Sequence, residues 1–264
     1  MHSRLILGLL LVVVMSAGIA LADTACLNVM TSSQSLAALA ANGNNCLVIG
    51  DKEFFNFQFI PDALNPSAVT AAGISVTTIG DGSANNLYGI DIGSQLGQIN
   101  NLTGSPSSTS ALDYDIKYSV QATGGFQIHD VWQMINGSAI PNVSGGPLNP
   151  NSGIVVSEVA VDHGSSGASA NSTVNINPNI FQEPPAQAND HLILNVGGVP
   201  TPVLRADITK DVRIDAGGGD KVTLSLIEQR FSQVVPEPRS YAFLLGMSLA
   251  ALLWKRRASA NVLS

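Results

Sequence analysis

Apolar side chains recur at every second position through most of the chain, and this two-residue period constrains the fold more than any other feature. Tyr114, Ile116, Tyr118 and Val120 alternate with polar or small residues. Phe55, Phe57 and Phe59 share one face of a strand, with Asn56 and Gln58 on the other. Similar runs occupy 74–79, 87–92, 126–135, 154–161, 173–176, 191–196, 203–208, 211–215 and 222–231. Gly80-Asp81-Gly82, Gly124-Gly125, Gly145-Gly146-Pro147, Gly197-Gly198 and Gly217-Gly218-Gly219 supply the turns between them. Short strands at this spacing predict an all-β domain, an antiparallel β-sandwich of jelly-roll type. One short helix is expected near the start, capped by Ser33 or Ser35 and closed by Gly43.

Charge narrows the partners. Charged residues are 12% of the chain, and the formal net charge is −7. Arg4, Arg239 and the Lys255-Arg256-Arg257 cluster all lie near the ends, so residues 23–234 hold eighteen acidic and seven basic side chains, a net of −11. A domain this acidic disfavours nucleic acid and other polyanions, which need clustered Lys and Arg. With only two cysteines, no multi-thiolate metal site can be assembled.

Both ends read as addresses. Arg4, the apolar run 5–15 and the small-x-small site Ala20-Leu21-Ala22 form a secretory signal over 1–22, with cleavage by signal peptidase after Ala22. Export places Cys26 and Cys46 where disulfides form, and pairing them would stabilise the fold by roughly 3 kcal/mol. Near the other end, Pro236-Glu237-Pro238 makes an extended joint. An uncharged apolar stretch follows at 241–254, predicted as a hydrophobic transmembrane helix, and Lys255-Arg256-Arg257 closes it as a stop-transfer cluster.

This tripartite segment, residues 235–258, resembles the PEP-CTERM sorting signal, departing from it in the further residues 258–264. Two internal segments add to the resemblance. Cys46-Leu-Val-Ile-Gly50-Asp51-Lys52-Glu-Phe54-Phe-Asn-Phe57 is similar to the opening of many PEP-CTERM ectodomains, and 222–233 (VTLSLIEQRFSQ) looks like their closing strand. The resemblance implies transient insertion in the inner membrane and recognition by an exosortase that cuts near the motif. It places the ectodomain, residues 23–234, at the cell surface or in the extracellular matrix, with exopolysaccharide as the expected associate. The residues of both internal segments read as structural.

A search for chemistry finds little. HExxH, GxSxG, P-loop and Rossmann fingerprints are absent. His129-Asp130, Asp162-His163 and Asp190-His191 are adjacent pairs whose side chains point to opposite faces of a strand, and a metal site would need three separate segments to converge. Asp113 and Asp115 share a strand face with Lys117, away from the apolar face, and read as solvated. Two glycine-rich loops, Asp81 to Asn85 and Asp215 to Asp220, are calcium candidates; no other cofactor is expected. The resulting expectation is a non-catalytic surface or matrix protein. The alternatives are a polysaccharide hydrolase using dispersed carboxylates such as Glu158 or Glu183, or a carbohydrate-binding module, against which counts the shortage of aromatics for a binding platform, Trp132 being the ectodomain's single tryptophan.

Overall fold

The computed structural model describes residues 26–80, 87–105, 107–141, 146–177 and 186–234. The secretory and sorting segments, the Asp81–Asn85 loop and Glu183 lie outside the described residues. Among the described residues no helix is long and apolar enough to cross a membrane.

Two sheets form the fold, as the two-residue period requires. The first runs β1 (Asn28–Val29), β3 (Asn45–Ile49), β4 (Lys52–Ile60), β8 (Thr109–Ala122), β15 (Arg205–Gly217), β10 (Gly153–Asp162), β11 (Ser169–Ile176), β13 (Asn195–Val196) and β14 (Val199–Pro200). The second runs β12 (Ala186–Ile193), β9 (Gln127–Pro141), β16 (Asp220–Val234), β6 (Tyr88–Ser94), β5 (Ile74–Gly80) and β2 (Ser33–Ser35), with β7 (Gln98–Asn100) also paired to β16. All these pairings are antiparallel except β1 with β3. The inward faces meet in one core, to which Tyr114, Ile116, Tyr118 and Val120 contribute as their alternation predicts. The domain is an all-β sandwich.

Two local expectations change. The runs 203–208 and 211–215 are one strand, β15, because Lys210 takes an inward position and its charge interrupts the apolar pattern without interrupting the backbone. In β4 the alternation breaks at Asn56, which adopts φ 55° at a register shift between Phe55 and Gln58. Phe54 and Phe57 therefore enter the core, while Phe55 is buried under the Arg205 guanidinium, 4.7 Å from its ring centre. The helix α1 is confined to Leu36–Ala40; the Ser35 hydroxyl accepts from the Ala38 N–H and caps it, and Leu36 and Leu39 point into the core.

The two internal segments singled out from sequence meet in space. Gly50 makes its turn at φ +57°, and a side chain there would collide with the Tyr88 ring. Fully buried Lys52 pairs with Asp51 at 2.7 Å and donates to Gln233 Oε1 on β16, also at 2.7 Å. The Phe54 ring lies 5.8 Å from that of Phe231. The opening strand pair is thereby fastened to the closing strand. Cys26 and Cys46 are joined as a disulfide with Cα atoms 5.5 Å apart, which ties the residue ahead of β1 to β3.

Candidate functional site

Three clusters of polar side chains among the described residues bear on function. The first lies between the sheets. On β15 and β10, Lys210 stands directly opposite Glu158; on β16 and β9, Gln229 stands directly opposite Gln133. All four occupy inward positions and are almost wholly buried. Lys210 Nζ donates to Glu158 Oε2, to Gln229 Oε1 and, at 2.5 Å, to Gln133 Oε1. The glutamine amides are held in turn, Gln133 Nε2 donating to the Val156 carbonyl at 3.2 Å and Gln229 Nε2 to that of Trp132 at 3.1 Å. Burial draws the Lys210 ammonium below its ordinary range, against the opposing pull of Glu158. Of this layer, sequence reading named only Glu158, as a dispersed catalytic candidate. The signal that could have found the rest is parity: Lys210, Gln133 and Gln229 each break an apolar face at an inward position.

The second place is the outer face of the second sheet. Trp132 on β9 has His191 of β12 opposite on one side and Arg230 of β16 on the other. The Arg230 guanidinium lies 5.9 Å from the centre of the Trp132 ring. Beyond Arg230 stands Gly89 of β6. Arg230 pairs with Glu228, and Glu228 faces Asp91 across β6. Asp130 accepts from His191 Nε2 at 2.9 Å, and His129 Nδ1 lies 3.6 Å from the same carboxylate. Burial opposes the Asp130 charge, but hydrogen bonds from Ser232 and His191 and the charges of His191 and His129 outweigh it, holding the carboxyl below its usual range. The His191 ring thus pairs across strands with Asp130, while its chain neighbour Asp190 accepts from the Ser172 hydroxyl and from the His191 backbone N–H.

The third place is an open cleft of about 690 Å³ at one end of the first sheet, lined among others by Glu53, Gln121, Asp162, His163 and Arg205. Burial raises the Glu53 carboxyl. Asp162 moves the other way: burial opposes its charge, yet hydrogen bonds from Ser166 and Gly164 hold it low. Its oxygens accept from the Gly164 N–H at 2.9 Å, the Ser166 N–H at 2.9 Å and the Ser166 hydroxyl at 2.6 Å. His163 reaches across to Asp207 at 2.7 Å. The three histidines are therefore divided between the two sheets, and among the described residues no group of His, Cys, Asp and Glu could hold a metal ion.

The calcium candidates within the described residues are engaged elsewhere. Asp215 is bridged by Arg213 at 2.9 Å, while buried Asp220 accepts from the Ser152 hydroxyl and, at 2.7 Å, from the Asn149 N–H. Asp113 and Asp115 lie on the outer face of the first sheet as expected, with Asp115 3.7 Å from Lys117. Register adds Asp211, opposite Asp115. Burial, then the charges of Asp113 and Asp115, raise the Asp211 carboxyl. A raised carboxyl binds its proton more tightly in the folded state, so its stabilising share is present at low pH and is lost as pH rises through the raised value. Asp211→Asn is accordingly expected to raise the urea midpoint at pH 7 and to lose that advantage below about pH 4. Because Asp211 is exposed, solvent screening limits the gain to a few tenths of a kcal/mol.

Comparison with known protein families and with curated proteins finds no match. Among solved structures the chain is similar to TmCBM61 in complex with β-1,4-galactotriose, at 12% identity and TM-score 0.29, over 66% of this chain and 86% of that one. It is also similar to CBM28, a carbohydrate-binding module specific for non-crystalline cellulose, at 14% identity and TM-score 0.24, over 60% and 80%. A third is Fisc, a Stig cyclase from Fischerella sp. TAU, at 10% identity and TM-score 0.26, over 67% and 84%. Similarities this distant carry no functional weight, and the reading below rests on this chain's own residues.

Proposed function

We propose that this chain is an exported, exosortase-sorted protein of the cell surface or extracellular matrix, non-catalytic, which associates with polysaccharide through the outer face around Trp132. The carrying observation is that face: one aromatic ring between Arg230 and His191, rimmed by Asp130, Glu228 and Asp91. A sugar presents C–H faces to an aromatic ring and hydroxyls to charged and polar neighbours, so this combination suits it. The acidic domain repels polyanions, which makes a neutral glycan the fitting class. The secretory segment, Pro236-Glu237-Pro238, the apolar stretch and Lys255-Arg256-Arg257 support the route, with signal peptidase and exosortase as processing partners.

The reading from another class is a polysaccharide hydrolase in the cleft, favoured by the opposed displacements of Glu53 and Asp162. Against it, three hydrogen bonds from Gly164 and Ser166 already engage both Asp162 oxygens.

The test uses protein recovered from outside the cell. Its intact mass should lack residues 1–22 and end near 236–238; a mass that retains 241–254 would remove the sorting half of the proposal. The recovered protein should bind neutral exopolysaccharide and not an anionic polymer. Trp132→Ala should weaken that binding by tenfold or more, about 1.4 kcal/mol. Unchanged binding would overturn the assigned face, and depolymerisation of the glycan that disappears in Glu53→Gln would replace the proposal with the hydrolase.

A further inference from the structure

We infer that the buried layer is a self-crosslinking site, in which Lys210 Nζ forms an isopeptide bond to the side-chain amide of Gln133 or of its cross-strand partner Gln229. The inference is independent of the proposed function. It stands on the arrangement of four side chains: an amine, a carboxyl group and two primary amides, enclosed together between the sheets.

The amine is held against both electrophiles at once. Nζ is within hydrogen-bonding distance of both glutamine carbonyl oxygens, so each amide carbon lies one C=O bond beyond the contact, and attack requires Nζ to swing from the oxygen lone pairs to the face of the carbonyl. The amides are fixed by their Nε2 donations to the Val156 and Trp132 carbonyls, and Lys210 is fixed by Glu158. Each product bond would join β15 of the first sheet to β9 or β16 of the second.

Proton traffic closes within the layer. Lys210 first passes a proton to Glu158 along their hydrogen bond, leaving a neutral amine beside a neutral carboxylic acid. The amine nitrogen attacks the amide carbon, and the Glu158 proton moves to the carbonyl oxygen as the tetrahedral centre forms. Glu158 then takes a proton from the attacking nitrogen and delivers it to the departing NH2 group. As the carbon–nitrogen bond of the glutamine amide breaks, the oxygen gives its proton back to the carboxylate, so that Glu158 ends as the neutral acid, holding the proton that the Lys210 ammonium lost. One N–C bond forms, one breaks, and the sole by-product is ammonia, with no oxidant or reductant.

Mass spectrometry of the intact, disulfide-bonded protein, whether recovered from cells or from outside them, tests this directly. The expected mass is lower by one ammonia than the processed chain with its disulfide, and digestion after reduction should yield a branched peptide joining Lys210 to Gln133 or Gln229. Lys210→Met should restore the missing ammonia, and Glu158→Gln should suppress the branch while the far-UV spectrum stays that of a β protein. Full unmodified mass, with the three residues recovered in linear peptides, would overturn the inference, even if both variants failed to fold. A loss of ammonia that maps to any other residue would overturn it equally.

Discussion

Replacing Lys210 with methionine is expected to lower the free energy of unfolding by about 3–5 kcal/mol. Nζ is the donor shared by Glu158, Gln133 and Gln229. Without it a carboxylate and two carbonyl oxygens face one another between the sheets, where burial leaves no water to take the donor's place. Adding Glu158→Leu to the methionine variant removes the uncompensated charge and should recover most of the loss, since an apolar pair of similar volume often replaces a buried ion pair at little cost. Urea unfolding followed by tryptophan fluorescence and far-UV dichroism measures both. If Lys210→Met leaves the midpoint unchanged, the layer is not holding the sheets together; if the double variant is no better than the single one, the orphaned carboxylate is not the source of the loss. Where the Lys210 amide has formed, the substitution also removes a covalent tie, and the linked protein should show the larger loss.

The same layer shows what the sequence could and could not reveal. The period of two carries the sandwich because each strand buries one face, and Tyr114, Ile116, Tyr118 and Val120 sit inward where parity puts them. Parity failed at Phe55, because the left-handed backbone at Asn56 inserts an extra residue and reverses the faces after it. It also failed at Lys210, where a charge at an inward position looks like the end of a strand unless its partners are known. Those partners lie nineteen, fifty-two and seventy-seven residues away in the chain, on three other strands, and local pattern holds no information about such pairing. His191 is the same case on the surface: its chain neighbour Asp190 faces the other way, and register supplies Asp130 instead. Motifs fared better where their function was local. Gly50-Asp51-Lys52 gave its turn, and the structure adds that Lys52 and Phe54 reach Gln233 and Phe231 in the other segment marked by resemblance.

The disulfide carries the second large effect. A Cys26→Ser, Cys46→Ser double variant is expected to be less stable by about 3 kcal/mol, because the bond closes a loop across a sequence separation of 20 and restricts the unfolded chain. The native side of the comparison points the same way. β1 is two exposed residues long and is held to β3 by the Asn28 N–H bond to Asn44 and the Met30 N–H bond to Cys46, at 3.0 and 2.9 Å. A strand so short and so exposed has little burial of its own to offset the entropy of ordering it. Without the bond β1 should detach first, before the core that begins at buried Leu36 and Leu47 opens. Two measurements separate these contributions. Urea midpoints with and without the bond give the whole effect, and amide hydrogen exchange at Met30 gives the local one. Loss of protection at Met30 with an unchanged midpoint would show that the bond secures only the edge of the sheet. A lowered midpoint with Met30 still protected would place its action in the unfolded chain alone. The expected result is both changes together, since the bond anchors the first residues of the domain to the strand that leads into Gly50, Lys52 and the contacts with β16.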